Sequence, residues 1–196
     1  MQTTLLEEMS AAARGVVAVL IGNRQAPSYF DFSQRGLIGS FIAFLVASAI
    51  NALTPLVFGL ELPPGTVTRG LILVAVLYVA QIAFSALVLR QLGRLDGLVP
   101  YVVADNWATF FITLVSTVLS IVGVGDEIAI IGLGILVIFV EVNIARLIVT
   151  LPGLQIAMFL IAQLVGVTIA LLVVGALVPG LVPDFSAAAT VAPAPQ

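Results

Sequence analysis

Residues 153–178 read GLQIAMFLIAQLVGVTIALLVVGALV, an unbroken apolar stretch without one Asp, Glu, Lys or Arg. A hydrocarbon core about 30 Å thick is crossed by about 20 mostly apolar helical residues at 1.5 Å per residue, and this stretch is long enough. Working outward, Pro152-Gly153 separates it from a second such stretch, Glu127 to Val149. Gly123 and Gly125 separate that one from Pro100 to Val122, and Gly93 and Gly97 separate the next, Thr68 to Arg90. Pro63-Pro64-Gly65 then sets off Gly36 to Leu60, which Ser33 precedes, while Pro179-Gly180 follows the last stretch. Glycine and proline at every junction are the expected breakers between helices. The pattern predicts an all-α polytopic integral membrane bundle of five transmembrane helices.

Composition agrees with that architecture. Of 196 residues, 61% are apolar and 9% charged, against about 45–50% and about 25% in an ordinary soluble domain. The mean hydropathy is +1.25. There is no Cys and no His, which excludes thiolate nucleophiles, disulfides, imidazole acid–base catalysis and Cys or His metal sites. Neither a cofactor nor a metal is therefore expected, and the chain does not read as an enzyme. The net charge of −3 argues against nucleic acid as a partner. All seven basic residues are Arg, which with the wealth of Ala, Gly and Val fits a GC-rich bacterial genome and hence a bacterial inner, or plasma, membrane.

Arginine placement sets the expected orientation. A cytoplasmic N-terminus puts Arg14, Arg24, Arg35, Arg90, Arg94 and Arg146 inside and leaves only Arg69 outside, as the positive-inside rule demands. An odd number of spans sends the C-terminus outward, so residues 179–196, ending Ala-Pro-Ala-Pro-Gln, form a disordered external tail. Residues 1–35 form a cytoplasmic N-terminal segment ahead of the membrane domain, 36–178. Glu7 and Glu8 stand where a secretory signal would carry positive charge, so this segment is expected to be retained. Leu5, Met9, Ala13, Val16 and Leu20 recur at helical spacing, which predicts a helix over residues 3–22 lying on lipid or docked on the bundle. Tyr29, Phe30 and Phe32 follow at headgroup depth.

Polar side chains inside a bilayer are costly and face protein or water, so their depths carry the functional information. On the third span Asp105, Thr109, Thr113, Ser116 and Ser120 fall within roughly 80° of one another at about 100° per residue. That face either walls a hydrated path or packs inside the bundle with its hydroxyls bonded to helix carbonyls. On the fourth span Glu141 sits roughly 5 Å from the middle. Because neighbouring spans run in opposite directions, Asp105 and Glu141 fall at similar depth, with Gln81, Asn143 and Gln163 beside them and Asn51 as a cap. Two readings follow: a proton or cation site built on the two carboxylates, or a neutral hydrogen-bonded Glu141 with Arg90 or Arg146 as ion-pair partner. Gly39, Ala43, Ala47 and Asn51, and Ala162, Gly166 and Ala170, form small-residue seams for close helix contact, and Pro55 bends the outer end of the first span.

Gly123-Val124-Gly125-Asp126 resembles the Gly-x-Gly-Asp motif of intramembrane aspartyl proteases, whose chemistry needs a second Asp sharing a proton. Asp105 lies about 30 Å away along one helix, so the motif finds no partner. No other catalytic motif is present. In topology, a cytoplasmic N-terminal segment followed by five close-set spans resembles the Yip family of small membrane proteins, and that resemblance implies an association with membrane trafficking. The expected function is that of a non-enzymatic accessory, assembly or scaffolding factor, with the lipid bilayer and a membrane protein or a second copy as partners. The alternative is a small transporter, channel or proton/cation pathway using the intramembrane carboxylates.

Overall fold

The computed structural model describes residues 4–124, 127–178 and 181. Among the described residues six α-helices follow one another: α1 (Leu5–Leu20), α2 (Gln34–Val57), α3 (Thr66–Gln91), α4 (Leu98–Ile121), α5 (Glu127–Asn143) and α6 (Gly153–Leu177). Short 3₁₀ turns occupy Ala26–Tyr29 and Leu95–Gly97, and a π-helical turn, Ile144–Ile148, continues α5. Five helices, all but α1, are long and apolar enough to cross a membrane. The tail from residue 179, Leu181 excepted, and Gly125-Asp126 lie outside the described residues.

The helix limits follow local chemistry. Thr4 opens α1 with a capping box, its hydroxyl accepting from Glu7 N–H at 3.3 Å while its own N–H donates to Glu7 Oε2 at 2.8 Å. The first long helix stops at Val57 rather than Leu60, because Gly59 turns left-handed at φ +71° and lets Leu60 N–H reach back to the Pro55 carbonyl at 3.0 Å. Pro55 thus lies in the last turn of α2. Gly93, at φ +68°, ends α3 in the same way, with Arg94 N–H bonded to Leu89 O at 2.7 Å.

Helix α4 is the centre of the bundle. It is the least hydropathic of the five long helices, yet half of its window is buried, well above the others. Its most extensive neighbour is α2, whose buried face is Gly36, Gly39, Ser40, Ala43 and Ala47, all small enough to let the two backbones close together. The second close pair is α3 with α6, where a Cβ built on Gly166 would overlap the Phe84 ring. Large apolar side chains such as Ile138, Ile161, Leu164 and Leu172 point outward, which suits helices long and apolar enough to cross a membrane.

Of the two placements open to the N-terminal helix, its buried face meets protein. Ala12, Gly15, Val16, Ala18 and Val19 pack inward against α2, α4 and α5, and Phe30 closes over Gly15. Leu6 and Ile21 stay outward. Glu8 lies against Gly39 of α2, and its Oε1 has no hydrogen-bond partner. Burial pushes the Glu8 carboxyl above its ordinary range and the Asp31 charge adds to this, while Arg35 opposes it.

At the same end, Arg94 ties the α3–α4 turn to the residues that follow the π turn. It donates through Nη2 to Val149 O and to Thr150 Oγ1, both at 2.6 Å, and through Nη1 to Thr150 O at 3.3 Å. Gly97 receives the Val149 side chain beside this clamp.

Gly166→Ala should cost about 1–3 kcal/mol by forcing Phe84 out of its seat. Gly134→Ala, with open space around it, should be neutral or gain up to about 1 kcal/mol from helix propensity. Detergent-phase unfolding of both variants checks this; equal effects would contradict the α3–α6 seam.

Candidate functional site

The carboxyl groups of Asp105 on α4 and Glu141 on α5 come within hydrogen-bonding reach of each other. Asp105 is buried and Glu141 half-buried. One turn before Asp105, Tyr101 is fully enclosed; its hydroxyl donates to Glu141 Oε2 at 3.4 Å and accepts from Gln81 Nε2 of α3 at 2.8 Å. Gln163 of α6 faces the same hydroxyl, yet its buried Nε2 has no hydrogen-bond partner. Phe159 fixes the Tyr101 ring edge-on, with centroids 5.0 Å apart. Four helices therefore converge on one phenol and two carboxyls.

An ionised carboxylate only accepts hydrogen bonds, so two carboxyls hold such a contact only when one carries a proton. Tyr101 donates to Glu141 beside this pair, and one proton shared between the two carboxyls would satisfy their approach. A cavity of about 430 Å³ reaches this point between α3, α5 and α6, with Gln81, Glu141 and Gln163 at its polar floor. Its walls include Ile138, Ile161 and Leu164, each at least 60% exposed, so it opens through the apolar outer surface.

The remaining polar residues singled out in the sequence separate from this group. Asn143 is buried with Nδ2 unpartnered, but it stands two residues beyond Glu141, about 200° around the helix. Thr109 is half-buried on the Asp105 face of α4. Asn51 Nδ2 donates to Thr113 Oγ1 at 3.4 Å, which ties α2 to α4. Ser116 and Ser120 donate to the carbonyls of Thr113 and Ser116 at 2.9 Å, so those hydroxyls close on their own helix.

Neither arginine suggested as an ion-pair partner reaches the carboxyls. Among the described residues the one ion pair is between half-buried Arg94 and exposed Asp96, at 3.8 Å. Arg90 is exposed at the end of α3. Arg146 stands five residues after Glu141, well around the helix, and the π turn carries it to the α1 end of the bundle. Among the described residues, no group of three or more Asp, Glu, His or Cys side chains is placed to hold a metal ion.

Tyr101 is the residue that sequence reasoning passed over. A second aromatic, Tyr78, was passed over too: it donates to Asn106 Oδ1 at 2.8 Å, and Asn106 Nδ2 donates to Ser40 Oγ at 3.2 Å, linking α3, α4 and α2. Tyr101 and Asp105 stand four apart and Tyr78 and Gln81 three apart, which is the helical spacing that puts each pair on one face.

Comparison with known protein families, with curated proteins and with solved structures gives no significant match.

Tyr101→Phe removes the shared hydroxyl, leaves half-buried Gln81 Nε2 without that acceptor, and should cost about 0.5–1.5 kcal/mol of stability in detergent. An unchanged melting temperature would contradict the network.

Proposed function

We propose that the chain is a non-enzymatic, multi-pass protein of a bacterial inner membrane that takes up and releases a proton at the Asp105–Glu141 pair, as a small transporter or proton/cation pathway does. The observation that carries this reading is the close approach of two carboxyls, Asp105 buried and Glu141 half-buried, that no arginine neutralises. A purely structural buried carboxyl is ordinarily paired with a cation or fully bonded, whereas this pair keeps a net charge and an exchangeable proton. A cavity lined in part by Gln81, Glu141 and Gln163 adjoins the pair, and the unpartnered Gln163 Nε2 supplies a donor for a polar group bound there. The arginine count supports an orientation with α1 in the cytoplasm, which places the pair in the cytoplasmic half of the bilayer.

A second reading is an accessory, assembly or scaffolding factor with a membrane-protein partner or a second copy, in keeping with the Yip-like topology. What favours it is that Ser116 and Ser120 bond back to α4, so the outer half of that helix offers no continuous polar lining.

Purified protein in liposomes should carry protons down an imposed pH gradient, and Glu141→Gln or Asp105→Asn should abolish that flux while each variant still melts cooperatively. Flux unchanged in both variants removes the pair from the function. No flux from the wild type, with a stoichiometric partner recovered in mild detergent, favours the accessory reading.

A further inference from the structure

Where α1 ends, a cavity of about 550 Å³ is lined by Arg24, Arg146, Leu147 and Thr150. The two arginines arrive from unrelated elements, Arg24 from the connection after α1 and Arg146 from the π turn after α5. Neither takes part in an ion pair among the described residues. Arg146 Nη2 lies 3.5 Å from where a Cβ on Gly22 would stand, so its guanidinium rests over the C-terminal turn of α1. The dipole of α1 accounts for one cation there, because its own last turn holds no basic residue, but it does not account for a second.

Thr150 adds a hydroxyl whose orientation is enforced. It is the one non-glycine residue with a positive φ, +60°, among the described residues, a conformation unfavourable for a β-branched side chain. Arg94 holds it there by bonding both its carbonyl and its Oγ1. Since Oγ1 accepts from Arg94, its hydrogen remains to donate into the cavity. Backbone strain sustained by a dedicated clamp is a mark of functional sites, as is a π turn.

We propose that Arg24, Arg146 and Thr150 form a binding site for a phosphate group. Two guanidiniums present fork-shaped donor sets that match phosphate oxygens, and the hydroxyl supplies a further donor, with no carboxylate among the described lining residues to repel the anion. The phosphate belongs either to an anionic lipid headgroup or to a soluble phosphate compound, because the cavity sits at the end of the bundle where both are within reach. This site is separate from the carboxyl pair and stands whether or not protons move there.

The test uses the full chain in detergent with two probes, phosphatidylglycerol against phosphatidylcholine, and inorganic phosphate against chloride at equal ionic strength. Native mass spectrometry should show phosphatidylglycerol retained several-fold over phosphatidylcholine if the source is lipid. A melting temperature raised by phosphate and not by chloride identifies a soluble source. Either preference should vanish in the Arg24→Gln/Arg146→Gln double variant, persist in part in Arg146→Lys, and be untouched by Arg69→Gln at the far end. A wild type indifferent to both probes, or a preference surviving in a double variant that melts cooperatively, overturns the proposal. If the double variant does not melt cooperatively, Arg24→Gln alone, outside every helix, decides by the same criteria.

Discussion

Inside a bilayer a polar side chain has no water to turn to, so leaving it without a partner in the protein is costly. In this chain that constraint falls on α4. Tyr101, Asp105, Asn106 and Thr113 all project from it into the bundle, and each is answered from another helix: Gln81 from α3, Glu141 from α5, Ser40 and Asn51 from α2. The apolar helices around α4 are thus held by a few directed contacts where lipid and core offer little to choose between. Small residues on α2 and the Gly166 seat for Phe84 then allow the backbones to approach closely enough for those contacts to form.

Within this framework the carboxyl pair differs from the other polar contacts. Tyr78–Asn106–Ser40 is a chain of neutral groups that stabilises and carries no charge. Asp105 and Glu141 bring two acidic groups together, and no arginine among the described residues pairs with either. That asymmetry, together with the cavity lined in part by Gln81, Glu141 and Gln163, distinguishes the pair from the neutral contacts of this bundle.

Much of the architecture was legible in the sequence because it depends on lengths. Bilayer thickness and helix rise set the number of long helices, and glycines and prolines mark their ends to within a few residues, Gly59 ending α2 three residues early. Counting along antiparallel neighbours also placed Asp105, Glu141, Gln81 and Gln163 at one depth. Rotation about each helix axis was not legible. A water-soluble helix shows its buried face by periodicity, but a membrane helix presents apolar side chains to core and lipid alike, so that signal is lost. This is why Asn143 read as a neighbour of Glu141 and faces elsewhere, and why Arg146 read as its partner. It is also why Tyr101 was overlooked: as an aromatic in an apolar run it passes for packing, although its hydroxyl joins α3 to α5.

The shared proton is the centre of this account, and infrared difference spectroscopy of the carboxyl stretch tests it most directly. At neutral pH the wild type should show one protonated-carboxyl band, and that band should shift or vanish in both Asp105→Asn and Glu141→Gln. A wild-type spectrum with both carboxyls ionised, or a band insensitive to one of the two substitutions, would contradict a proton held jointly by the pair.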